Sequence, residues 1–152
     1  MNQPKKPKKA SRTQMRREAR SFALQALYQW QLSGNTLNEI EAQFRTEQPM
    51  EQADLGLFAE LLHGIPAKVG ELDALLSPCL DRSLDDLDPI ERNVLRMGAY
   101  ELAHRLEVPY RVVINEYVNL AKTFGATDSH KYVNGVLDKL AKGQRRAEIE
   151  GR

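Results

Sequence analysis

Apolar residues along this chain recur at intervals of three and four, and the intervals break at Gly, Pro and capping residues. The most regular stretch runs from Val112 to Leu140. Val113, Tyr117, Leu120, Ala121 and Phe124 mark one face of a helix, and Asn115, Glu116, Asn119 and Lys122 fall mostly between them. Gly125 ends that helix, and a short turn runs to Thr127. A second helix then carries Val133, Val136, Leu137 and Leu140. Thr127, Asp128 and Ser129 precede it, and any of the three offers a side-chain oxygen to the open N–H groups of its first turn. Asn134-Gly135 has the form of a hairpin turn, but its flanks repeat at three and four and so read as helix. A glycine inside a helix costs about 1 kcal/mol relative to alanine, so Gly135 predicts close approach of another backbone.

The rest of the chain divides in the same way. A long first helix from about Thr13 carries Ala19, Phe22, Ala23, Ala26, Leu27 and Trp30 and ends at Ser33, Gly34 and Asn35. A short second one carries Leu37, Ile40 and Phe44, capped by Asn35 or Thr36, and stops before Pro49. Leu57, Phe58, Leu61 and Leu62 predict a third, stopped near Gly64. A fourth starts around Pro66, carries Val69, Leu72, Leu75 and Leu76, and ends before Pro78. An acidic connector from Asp81 to Asp88 follows. Asp88, Pro89 and Glu91 then open a fifth helix as cap, first-turn proline and third-position carboxylate, with Gly98 as a point of close packing. Pro109 opens the sixth. No stretch alternates as a strand does, and no self-similarity at about 34 to 47 residues marks a helical solenoid. The prediction is an all-α compact globule of six or seven helices: a flexible basic arm over residues 1–12, one helical domain over 13–142, and a polar tail over 143–152 that frays.

Composition agrees with a soluble single domain, 41% hydrophobic and 28% charged over 152 residues. No apolar run has the length of a membrane span, and no secretion signal is visible, so a cytoplasmic location is expected. One cysteine, Cys79, and three scattered histidines, His63, His104 and His130, lack ligand spacing, so neither a structural metal nor a cofactor is expected.

Charge changes the picture more. The first 20 residues carry eight basic side chains against Glu18 alone, a net of +7, although the whole chain has a net charge of +1. A basic head on a mildly acidic body points to a polyanionic partner. Lys5, Lys6, Lys8 and Lys9 serve either solubility or that partner. Arg12 joins the head at its helical end. Arg16, Arg17 and Arg20 lie in the opening turns of the first helix, where the helix dipole makes each unfavourable by a few tenths of a kcal/mol, roughly, so stability alone does not account for them. Guanidinium groups clustered there suit phosphates and bases. The polar set Asp128, Ser129, His130, Lys131 and Tyr132 at the last helix start is expected to form one surface for that partner with the basic helix opening. Tyr132 is either a core aromatic or a platform for an unpaired base. No phosphate loop, nucleophile elbow or His-Glu metal motif supports catalysis, and Asp85 with Asp86 reads as a solvated acidic loop before a nuclease metal site.

Three segments, RREARSFALQALYQWQLS, IERNVLRMGAYEL and VPYRVVINEYVNLAKTFGATDSHKYVNGVLDKL, closely resemble the NusB family of bacterial transcription antitermination factors, in unbroken order from Arg16 to Leu140. The resemblance implies two packed helical bundles and a non-enzymatic role. Its implied partners are single-stranded boxA RNA of ribosomal RNA leader transcripts, the ribosomal protein NusE and the RNA polymerase elongation complex. The family's arginine-rich start falls on Arg16, Arg17 and Arg20, and its DSHKFVNG segment falls on Asp128 to Gly135, with Tyr132 where phenylalanine is common. Its partner-binding side falls on the acidic connector and the helix after it, with Asp85 and Glu91 the leading candidates and Asp86 beside them. Glu91 also has a purely local reading, completing the capping box begun by Asp88. Glu18 interrupts the arginine run, Cys79 stands where some relatives carry an aromatic, and the lysine arm before Ser11 lies outside the family pattern. An alternative is a helical RNA-binding domain acting with a separate RNA methyltransferase, since similar domains occur fused to such enzymes and this chain has no length left for a methyl-donor fold.

Overall fold

The computed structural model describes residues 10–151, so the arm at Lys5 to Lys9 lies outside the described residues. Within them eight α-helices follow one another: α1 (Arg12–Ser33), α2 (Leu37–Glu47), α3 (Leu55–Ala67), α4 (Val69–Leu76), α5 (Pro89–His104), α6 (Tyr110–Phe124), α7 (Ser129–Gln144) and α8 (Arg146–Ile149). Two 3-10 turns, Ser77–Cys79 and Leu84–Asp86, lie between α4 and α5. No strand is present among the described residues.

Local chemistry sets most boundaries. The Ser11 hydroxyl accepts from the Gln14 N–H at 3.1 Å, so α1 starts at Arg12, within the stretch predicted as arm. Gly34 ends it in the left-handed conformation, φ 74°. Thr36, rather than Asn35, caps α2. Asp88 caps α5 through the Glu91 N–H, with Pro89 at the first helical position as predicted. Gly64 does not stop α3, which continues to Ala67 with Pro66 in its last turn. There the Lys68 N–H closes on the carbonyls of Gly64 and Ile65, so the missing proline N–H falls where the ladder is ending.

Helices α1 to α3 pack as one bundle and α4 to α7 as a second, joined where α1 lies against α5. Ala23, Leu27, Ile40, Phe58 and Leu61 fill the first, and Val94, Leu95, Val113, Tyr117, Val133 and Leu137 fill the second. Gly98 is a point of close approach: a Cβ there would stand 2.7 Å from Leu137 Cδ1. Gly135 is not. A Cβ on it would meet nothing within 4 Å, so close packing does not explain this glycine.

Two polar clusters cross the core. Arg20 is 2% exposed, and its Nε and Nη2 donate to both carboxylate oxygens of Glu101 at 2.7 and 2.8 Å. The Tyr117 hydroxyl donates to the same carboxylate. Burial opposes the Arg20 charge, but the hydrogen bonds and the charge of Glu101 outweigh it and hold the guanidinium above its ordinary value. The second cluster overturns the expectation of a frayed tail. Arg145, 4% exposed, donates to the carbonyls of Leu102, Val108, Glu101 and Arg105 and to the Glu148 carboxylate, at 2.7 to 3.1 Å. All five guanidinium N–H groups are thereby used, and a cation closes the C-terminal end of α5, where the dipole favours one. Glu148 also accepts the Tyr110 N–H at the start of α6.

Burial, and then the charge of Glu101, raises the Tyr117 phenol well above its ordinary value. Burial and the hydrogen bond to Glu60 push Tyr100 up to about 12. A phenol raised on folding stabilises the fold fully below the unfolded value of about 10, and that contribution is lost as pH climbs toward the folded value. The melting temperature is therefore expected to fall steeply above about pH 10. Melting curves of the protein and of Tyr117→Phe through that range check it, the variant showing the shallower fall.

Candidate nucleic-acid interface

The arginines of the helix opening part ways in three dimensions. Arg20 is inside the protein, held by Glu101, and is withdrawn from the candidate RNA surface. Its spacing of three and seven before Ala23 and Leu27 places it on the apolar stripe. Arg17 reaches across to α6 and donates from Nε and Nη2 to Glu116 at 3.2 and 3.0 Å, while its side chain stays 50% exposed. That pairing raises the Arg17 guanidinium above its ordinary value. Arg12 and Arg16 make no hydrogen bond or ion pair among the described residues, apart from the helix backbone. Both line a recess of about 650 Å³ where the opening of α1 meets that of α3, with Met15, Ala53, Asp54 and Leu55. Glu18 takes a hydrogen bond from Gln14 and bridges no arginine.

At the start of α7, none of the expected caps bonds the first turn. Asp128 occupies the cap position in the left-handed conformation, φ 68°, with no side-chain cap bond. Its carboxylate takes the exposed Lys131 ammonium at 3.2 Å instead. Ser129 is buried and its hydroxyl donates to the Glu91 carboxylate, so it too leaves the candidate surface. His130 is partly exposed.

Tyr132 reconciles its two readings: the ring packs partly against the core, and the hydroxyl points outward, donating to Asp81 Oδ1 at 2.9 Å. Arg82 Nε donates to the same oxygen at 2.8 Å, and its Cζ stands 4.8 Å from the Tyr132 ring centroid. The Arg82 hydrogen bond, and then that of Tyr132, hold the Asp81 carboxyl below its ordinary value. Burial and the bond to Asp81 raise the Tyr132 phenol. Beside this trio a recess of about 230 Å³ is bordered by Cys79, Lys131, Gly135 and Lys139. Burial pushes the Cys79 thiol up, away from reactivity. Sequence reasoning missed Arg82. Its one signal was a lone cation in an otherwise acidic connector.

Each candidate RNA segment is tied to α5 by one buried residue. Arg20 meets α5 at Glu101, and Ser129 meets it at Glu91. Ten helical residues separate these points, about 15 Å at 1.5 Å per residue.

On the acidic side, Asp85 and Asp86 are exposed, but Glu91 is 9% exposed. Its N–H takes the Asp88 cap and its carboxylate takes Ser129, so it is neither a surface acid nor the second half of a capping box. Asp85 borders a groove of about 530 Å³ with Tyr28, Trp30, Leu32, Val69 and Arg92. Leu32 is 69% exposed there, an apolar side chain left unburied.

Fold and surfaces together define an all-helical, two-bundle protein whose distinctive chemistry is carried by separated charged and apolar surfaces. The chain belongs to the NusB family, whose model matches residues 17–142. It is 56% identical over 151 residues to the transcription antitermination protein NusB of Pseudomonas entomophila (strain L48), covering 96% of this chain and 91% of that one. It is 58% identical over 134 residues to the corresponding protein of Hahella chejuensis (strain KCTC 2396), covering 88% and 90%. The solved structure of T. maritima NusB superposes with a TM-score of 0.73 at 30% identity, covering 88% of this chain and 96% of that one.

Proposed function

We propose that the protein is a transcription antitermination factor that acts by binding rather than by catalysis. In this reading it holds single-stranded boxA RNA of ribosomal RNA leader transcripts together with NusE, and the assembly joins cytoplasmic RNA polymerase to suppress termination. The observation that carries the RNA role is the contrast within the arginine cluster. Arg20 and Arg17 have carboxylate partners, whereas Arg12 and Arg16 have no ion-pair partner among the described residues at a helix end where a cation is electrostatically disfavoured. Phosphates supply what the fold does not. The names of the relatives supply the process, and the exposed Asp85 and Asp86 beside an open apolar groove suit a basic protein partner.

Titration of the protein with boxA-type RNA at several salt concentrations, with and without NusE, tests this. Arg12→Ala with Arg16→Ala is expected to weaken binding and to flatten the salt dependence by about 0.7 in log–log slope for each single-strand phosphate no longer neutralised. The melting temperature should stay close to that of the parent. Unchanged affinity and slope in a folded double variant would remove these arginines from the RNA surface.

A further inference from the structure

Asp81 adjoins Lys131 and Tyr132 on the candidate RNA edge, where a carboxylate is out of place. A negative charge beside a path for phosphates repels the ligand, and its removal should by charge alone tighten binding. Yet Asp81 is not idle. It is side-chain 65% exposed, accepts the Tyr132 hydroxyl at 2.9 Å, and accepts Arg82 Nε at 2.8 Å and Nη2 at 3.4 Å. Between those bonds the Arg82 guanidinium is carried over the Tyr132 ring, 4.8 Å from its centroid. Arg82 has no other ion-pair partner among the described residues, and its side chain is 51% exposed.

We propose, building on the RNA-binding reading above, that Asp81 is a positioning residue that fixes Arg82 over Tyr132 as a two-layer platform, and that a nucleobase stacks on the exposed guanidinium of Arg82. The alternative geometry, in which a base displaces Arg82 to reach the ring, would strip Asp81 of its cation and leave a bare carboxylate facing the phosphate backbone. Stacking on Arg82 keeps that charge masked. A guanidinium is planar and delocalised, stacks on an aromatic ring with one face and offers the other, as a lysine ammonium does not. The tyrosine hydroxyl matters here as well, because a phenylalanine at this position would hold the ring but not Asp81.

Binding of short oligoadenylate and oligouridylate RNAs to the full chain reads the platform, because stacking depends on the base whereas phosphate contact does not. Asp81→Ala is expected to weaken oligoadenylate binding about five-fold, to bring the adenine-to-uracil preference toward one, and to leave the salt slope unchanged. Arg82→Lys, which keeps the charge but not the plane, should lose the same preference. Tighter or equal binding by Asp81→Ala with the preference intact would overturn the proposal and leave Asp81 an ordinary surface charge. If the parent protein binds neither these RNAs nor boxA-type RNA, the RNA-binding reading itself falls; if it binds boxA-type RNA but shows no preference for adenine over uracil, the platform falls. If the parent binds both but the variants match it, only the platform falls.

Discussion

Arg20→Ala is expected to cost about 3–5 kcal/mol of folding stability, because it leaves the Glu101 carboxylate uncompensated in the core. Glu101 is 0% exposed and would keep only Tyr117 and the more distant Arg105 near it. Urea denaturation of Arg20→Ala beside Arg16→Ala separates the two roles. The first should shift the midpoint strongly, and the second should barely move it while weakening RNA binding. A stable Arg20→Ala with reduced RNA affinity would return Arg20 to the RNA surface.

Arg145→Ala should be nearly as damaging. It leaves the Leu102 and Val108 carbonyls without their donor, each unsatisfied buried acceptor costing about 1–3 kcal/mol before relaxation, while the Glu101 and Arg105 carbonyls keep the N–H groups of Arg105 and Val108. A net loss of about 3 kcal/mol is expected once water reaches some of them. Arg145→Lys should recover only part, since an ammonium has three donors for five positions. Thermal melting checks the magnitude, and amide exchange should show protection failing first in α8 and around Val108. Intact stability in Arg145→Ala would mean that the tail adds little to the fold.

What the sequence revealed follows from the range of each interaction. Helices α1, α2, α5, α6 and α7 were legible because burial of a stripe repeats within one turn, and because Pro89 with Asp88 and Gly34 act on their own neighbours. The break between α3 and α4 was misplaced: Gly64 lies under the Tyr100 ring, 3.1 Å from the position a Cβ would take, and that neighbour is 36 residues away in the chain. Contacts between distant residues account for the other misses. Glu91 looked like a surface acid because Ser129, its partner, is 38 residues downstream. Arg145 looked like one more charge in a polar tail, since nothing local marks a guanidinium that will meet a helix end. Arg20 was partly legible, lying on the stripe with Ala23 and Leu27, but its acid could be assigned only by folding. At the candidate RNA edge, Tyr132 was legible as an aromatic bordering the polar start of α7 and Arg82 was not, because their pairing depends on Asp81 crossing to α7.

Residue 101 joins the beginning, middle and end of the chain. Its carboxylate holds Arg20 from 81 residues upstream and Tyr117 from 16 downstream, while its carbonyl holds Arg145 from 44 downstream. During synthesis, α1 leaves the ribosome with a cation on its inner face long before Glu101 exists to neutralise it, and α5 emerges before its C-terminal end has a cap. The α1 to α3 bundle therefore carries a buried charge whose partner belongs to the other bundle, which couples the stability of the two.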